Sequence, residues 1–118
     1  MQSTWETHKG KKIFFARYGH LTIEDYRAEI DAVEKEMLRQ PRDSVLLLVD
    51  IAGLIITPEA LNLAKNVALH SQPYVRKTAL LGMTGARKAI VDIIVKFSGM
   101  KVEAFETVEQ AKDWLVQG

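Results

Sequence analysis

The sequence predicts an α/β fold: one domain with a mixed, mostly parallel sheet of four to five strands and about four helices. Three observations predict it. Runs of strand length, "KKIFFARY" (11–18), "SVLLLVD" (44–50) and "KTALLGM" (77–83), alternate with segments of helical periodicity. The latter two runs are continuously apolar, as strands covered on both faces require. Threonine stands at the start of each helical segment, where a hydroxyl can cap free backbone N–H groups.

Along the chain, "STWETH" joins "KKIFFARY" through Lys9-Gly10 and can form a hairpin with it. In "LTIEDYRAEIDAVEKEMLRQ", Ile23, Tyr26, Ile30, Val33 and Met37 recur at spacings of three and four and make one apolar stripe. Thr22 caps this helix, Asp25 suits its positive end, and Pro41 stops it. After the strand 44–50, Thr57 is the cap and Pro58 the first-turn residue of a helix running to about Ser71. Thr84 is expected to cap a third helix that Gly99 ends. Its expected core face is Ala86, Ala89, Ile90, Ile93, Ile94 and Phe97. Val91 and Val95 widen that stripe, towards a doubly covered sheet or a homodimer seam. "KVEAF" (101–105) alternates like an edge strand, and Thr107 with Gln110 opens a last helix carrying Ala111, Trp114 and Leu115.

The chain of 118 residues can bury a core without staples. Its 47% apolar and 26% charged residues make a globular rather than a disordered composition. Without cysteine there is no disulfide, thiol catalysis or Cys-bound zinc, and a cytoplasmic setting is expected. Met1 to Gly10 lacks the apolar core of a secretory signal, and no run is long enough to span a bilayer. A net charge of +1 argues against nucleic acid as a partner. The charges are nevertheless segregated. Residues 22–37 carry six carboxylates against two cations, and residues 73–101 carry six cations against Asp92. Either these are solvated surfaces or they are an acidic and a basic face that steer a partner.

Four stretches taken in order resemble the STAS domain family, and more narrowly its SpoIIAA-like branch, the fold of bacterial anti-sigma-factor antagonists. They are "FFARYGHLTIEDY", "SVLLLVDIAGLIITPEAL", "TALLGMTGARKAIVDIIVKFSGM" and "VEAFETVEQAKDWL". The resemblance implies a non-enzymatic regulatory or binding module. It also implies that Leu54 and Ile56 tuck under the sheet edge while Ile55 is exposed. Antagonists of this family carry Asp-Ser-Ser-Gly at the following turn and are switched by serine phosphorylation. This chain has Thr57-Pro58-Glu59-Ala60 there. Thr57, the one hydroxyl between Asp50 and Ser71, is the nearest equivalent of the phosphoacceptor, but Glu59 would repel a phosphate on the same turn.

No catalytic residue, metal site or cofactor is expected. His8, His20 and His70 share no ligand spacing, and no nucleophile motif is present. Asp50, at a strand end, is expected to hold the following loop by accepting backbone N–H bonds. "GMTGARK" (82–88) follows a strand and opens a helix, where open α/β sheets bind ligands and helix ends attract anions. Arg87 and Lys88 stand in that first turn, where the helix dipole disfavours cations by roughly 0.3–1 kcal/mol each. A bound phosphate or acidic partner would reverse the penalty, and removing both cations should slightly stabilise the free chain. The expected binding face therefore comprises Gly53, Ile55, Thr57, Met83, Thr84, Gly85, Arg87 and Lys88. It would receive a protein partner or a small anionic or amphipathic ligand, lipid- or nucleotide-like. The alternative is a phosphorylation-controlled switch at Thr57.

Overall fold

Alternating strands and helices run through the computed structural model, which describes residues 1–117. The elements are β1 (Thr4–His8), β2 (Lys11–Arg17), α1 (Ile23–Leu38), β3 (Val45–Asp50), α2 (Pro58–Ser71), a 3₁₀ turn (Gln72–Tyr74), β4 (Val75–Leu81), α3 (Arg87–Ser98), β5 (Val102–Phe105) and α4 (Val108–Val116). The five strands lie in the order β1-β2-β3-β4-β5. β1 is antiparallel to β2, and the remaining pairs are parallel. Lys9 and Gly10 both take positive φ, 49° and 80°, which gives the hairpin turn the twist its strands need.

Each parallel crossover moves one strand further in the same direction. Right-handed crossovers then put α1, α2 and α3 on one face. On that side Phe14, Ala16, Leu47 and Tyr18 pack against Tyr26, Ile30, Val33 and Met37 of α1. On the other side Ile13, Phe15, Leu48, Ala79 and Leu81 pack against Ala111 and Leu115 of α4. Alternate residues of β2 and β3 thus serve opposite cores, which is why 13–16 and 45–49 are unbroken apolar runs. Leu47 and Leu80 are 6% and 5% exposed, as buried central strands require. Lys112 of α4 and Arg17 of β2 both pair with Glu6 of β1, clamping the hairpin edge.

Three helices begin as expected. The hydroxyls of Thr22, Thr57 and Thr107 accept the N–H groups of Asp25, Ala60 and Gln110 at 3.1–3.2 Å. The third helix departs from expectation. Positive φ at Gly82 (89°) and Gly85 (55°) carries the chain through a turn, so α3 starts at Arg87 without a side-chain cap. Thr84 offers its carbonyl, not its hydroxyl, to the Arg87 N–H.

The inward face of α3 also differs. Arg87 turns inward to the loop after β3, and residues three, four, seven, eight and eleven positions on share its face. Ile90, Val91, Ile94, Val95 and Ser98 therefore point in, while Ile93 and Phe97 are 48% and 44% exposed. Val91 and Val95 are half-buried and line the space between α3 and the rest of the fold. The exposed Phe97 ring instead receives the Lys65 ammonium at 4.6 Å.

Candidate functional site at the carboxyl edge of the sheet

The loops that follow β2, β3 and β4 lie against one another. Tyr18 N–H donates to the Asp50 carbonyl at 2.9 Å, His20 N–H to that of Ala52 at 3.0 Å, and Ile51 N–H to that of Leu81 at 3.0 Å. Asp50 Oδ1 accepts the Ala52 N–H at 2.9 Å, holding the turn that ends β3. Two glycines allow this contact. A Cβ on Gly82 would lie 2.5 Å from the Ala52 nitrogen, and one on Gly53 would lie 2.1 Å from the His20 ring. Both have positive φ, 89° and 71°, where a side chain is strained in any case.

The three apolar side chains at 54–56 separate by direction. Leu54 is 3% exposed and Ile55 is 77% exposed. Ile56 is half-buried against the α1–α2 core. Thr57 is half-buried with its hydroxyl oxygen occupied as the α2 cap, and Glu59 pairs with Arg27 of α1 at 2.6 Å. The loop is greasy because its first and third side chains close the end of the core.

Arg87 is occupied as well. Its guanidinium donates to the carbonyls of Ile51 at 2.5 Å, Gly82 at 3.4 Å, and Leu54. It thus ties the loop after β3, at Ile51 and Leu54, to the β4–α3 turn at the start of α3. Thr84, Gly85 and Lys88 are exposed on that turn. Lys88 has no ion-pair partner among the described residues. Met83 does not join this group. It lines a shallow hollow with Ala104, Phe105, Glu106 and Gln110.

The histidines are dispersed. His8 Nε2 lies 2.8 Å from Asp113, His70 pairs with Glu34, and His20 covers Gly53. The hydrogen bond from His8, with that from Lys9, holds the Asp113 carboxyl below its usual range. No cluster of three metal-ligating side chains occurs among the described residues, and no described helix is long and apolar enough to cross a membrane. Burial raises the Tyr18 and Tyr26 phenols, so both stay neutral where they meet edge to face at 5.1 Å.

Two polar residues escaped the sequence reading. Ser71 and Thr78 are 2% and 3% exposed, and neither hydroxyl has a hydrogen-bond partner among the described residues. Such burial costs about 1–3 kcal/mol per group. Both residues line a cavity of about 120 Å³ between the sheet and the helices α1, α2 and α3. Ser71 looks like a helix end in sequence. Thr78 alone carried a signal, as a hydroxyl in register with Leu80 on a doubly covered strand.

Comparison with curated protein sequences gave no match. Among solved structures, the fold is similar to that of an uncharacterised protein of the DUF3478 family, with a SpoIIAA-like fold, from Shewanella loihica PV-4. The TM-score is 0.75 at 20% identity, over 96% of this chain and 91% of that one. The SpoIIAA-like family model matches residues 13–116, from inside β2 to the end of α4. The parallel part of the sheet and all four helices fall within that match, and the chain belongs to the SpoIIAA-like family.

Proposed function

We propose that this chain is a non-enzymatic regulatory module whose strand-to-helix loops bind a protein partner, with Ile55 as the anchor. The SpoIIAA-like fold supports a STAS-type regulatory role. The observation that carries the binding face is the 77% exposure of Ile55 on a loop held from beneath by Leu54, Asp50 and Arg87. A loop backbone already held in place loses little freedom on binding. Gly53 and Thr57 shape the same loop, and Thr84, Gly85 and Lys88 extend the rim.

Lys88 favours a second reading, in which a small anionic or amphipathic ligand binds the same rim. It is an exposed cation, without an ion pair among the described residues, on the first turn of a helix. Thr57, by contrast, holds its cap bond and has a carboxylate two residues on, which supports a structural hydroxyl rather than a phosphoacceptor.

The test pairs wild type with Ile55→Ser and Lys88→Gln. Each is immobilised in extract of the source cells, and retained species are identified by native mass spectrometry. A protein retained by wild type and lost with Ile55→Ser supports the partner reading. The same retained set on both sinks it. Phosphate and short-chain lipid phosphates are titrated against the amides of 53–57 and 84–88. Saturable shifts that weaken with salt and with Lys88→Gln support the second reading, and unmoved amides exclude it.

A further inference from the structure

The amino ends of β2, β3 and β4 form the edge of the sheet opposite the loop rim, and cations gather there. Lys11, Lys12, Arg76 and Lys77 line one hollow of about 290 Å³. A second, of about 440 Å³, shares Lys12 and Ser44 with it and reaches Trp5 and Pro41. Among the described residues no Asp or Glu lines either hollow. Glu36, beside Trp5, already accepts from Trp5 and Gln40 at 3.3 and 3.0 Å.

A bulge aims two of these cations. β3 and β4 pair Val45 with Val75 and Leu46 with Lys77, so Arg76 is an extra residue. Neighbours in a regular strand point to opposite faces, but here Arg76 and Lys77 line the same hollow. Cations also suit helix C-termini, where the dipole favours them, and that accounts for two of the four. Lys11 donates to the Val116 carbonyl at 3.0 Å, and Lys77 to those of Trp114 and Gln117 at 3.1 and 2.8 Å, all at the end of α4. Lys12 and Arg76 are exposed and have no ion-pair partner among the described residues. Like charges around one hollow repel, and an acidic guest turns that repulsion into attraction.

The joined hollows run across the sheet from β1 to β4, which is three strand spacings or about 14 Å. An extended peptide covers that length in about four residues. Trp5 and Pro41 offer an apolar wall at one end, and the cations face carboxylates at the other. A concave groove with one aromatic side chain suits a peptide better than a lipid surface or a row of stacked bases.

We propose that this groove is a second docking surface, for an acidic peptide segment of a protein partner. A bulky apolar residue of the segment sits against Trp5 and Pro41, and its carboxylates pair with Lys12 and Arg76. The groove lies on the edge away from Ile55, so one chain can hold a partner at each edge.

The probe is acetyl-Glu-Asp-Glu-Phe-Glu-Asp-Glu-amide, which reads the same in both directions. NMR follows the Trp5 indole N–H and the amides of 11–12, 44–46 and 75–77. Wild type should give saturable shifts there, with the amides of 53–57 unmoved. Lys12→Gln with Arg76→Gln should weaken binding about tenfold, as the loss of two exposed ion pairs implies. Both side chains are exposed, so this variant should keep the amide spectrum of a folded chain. Lys35→Gln with Lys96→Gln removes the same charge elsewhere and should change binding by less than about twofold. Replacing the peptide's Phe with Ala should weaken binding and leave the Trp5 indole unmoved. The proposal is overturned if wild type gives no saturable shifts at this edge, if both double variants bind alike, or if the Phe and Ala peptides bind alike. It is overturned too if phosphatidylglycerol vesicles or oligothymidylate displace the peptide at equal anionic charge.

Discussion

The Arg87 guanidinium donates to the main-chain carbonyl of Ile51 at 2.5 Å, joining the first turn of α3 to the end of β3. With its bonds to Leu54 and Gly82, this makes Arg87 a brace and not a free cation. The two adjacent cations should then behave differently on neutralisation. Arg87→Gln should lower stability by about 1.5–3 kcal/mol, the range for hydrogen bonds of a charged group. Lys88→Gln should stay within about 0.5 kcal/mol of wild type. Urea denaturation of the two single variants measures both. The helix dipole alone would make both losses slightly stabilising, and the three carbonyl bonds oppose it at Arg87.

Gly82 and Gly53 rank in a fixed order. Alanine at either adds a positive-φ cost of about 1–2 kcal/mol. At Gly53 the new methyl meets the His20 ring, which can swing away. At Gly82 it meets the backbone of Ala52, which cannot. Gly82→Ala should therefore destabilise more than Gly53→Ala, and only Gly53→Ala should move the His20 ring resonances while leaving the sheet amides in place.

Neighbouring residues 54 and 55 should respond in opposite ways. Leu54→Ala opens space in a closed core and should cost about 2–5 kcal/mol. Ile55→Ser removes an exposed side chain and should change the melting midpoint very little. A large loss from Ile55→Ser would show that this side chain packs on the fold and is no anchor for a partner.

Thr57→Ala should lower stability by about 0.5–2 kcal/mol through loss of the cap on the Ala60 N–H. Thr57→Asp should restore most of it, since a carboxylate caps equally well. If Thr57→Ala costs nothing in thermal unfolding, the hydroxyl is free for another task.

Glu29 gives a pH test. It is 7% exposed and accepts the N–H groups of Gln2 and Ser3 at 3.1 and 2.7 Å. Burial pushes its carboxyl up, but the bonds from Ser3 and Gln2 together outweigh it and leave it below the ordinary 4.5. The unfolded chain then binds the proton more readily. The stabilisation is complete above about pH 4.5 and is lost as pH falls through the lower folded value. Glu29→Gln should thus be clearly destabilised at pH 7, and the gap to wild type should narrow by pH 3 in denaturant titrations.

How much was legible in the sequence follows from which signals are local. The alternation of strands and helices and the three threonine caps rest on periodicity and on single hydroxyls, the opposed directions of Leu54 and Ile55 rest on the family resemblance, and the structure bears them out. The rotation of α3 was not legible. Its sequence carries two overlapping apolar stripes, and the choice between them is made by Arg87 reaching carbonyls more than thirty positions away. The candidate rim was legible as neighbouring loops, but not the loss of Arg87 to internal bonding or the turning away of Met83. Ser71 and Thr78 meet only in the folded chain, because each belongs to a different wall of one cavity.

The chain leaves β2, β3 and β4 towards the same face, and leaves β5 towards the opposite one, where α4 lies. Along the first three strand ends nothing parts, so the carboxyl edge there is a continuous ledge, with Ile55 standing on it. Between β4 and β5 the backbone diverges above and below the sheet, as at the strand ends where α/β proteins open a crevice. The hollow at Met83, Phe105, Glu106 and Gln110 lies at that divergence. A single edge of the sheet thus offers two kinds of relief. The ledge is open along its length, whereas the fork is a hollow with side chains from both β5 and α4 around it.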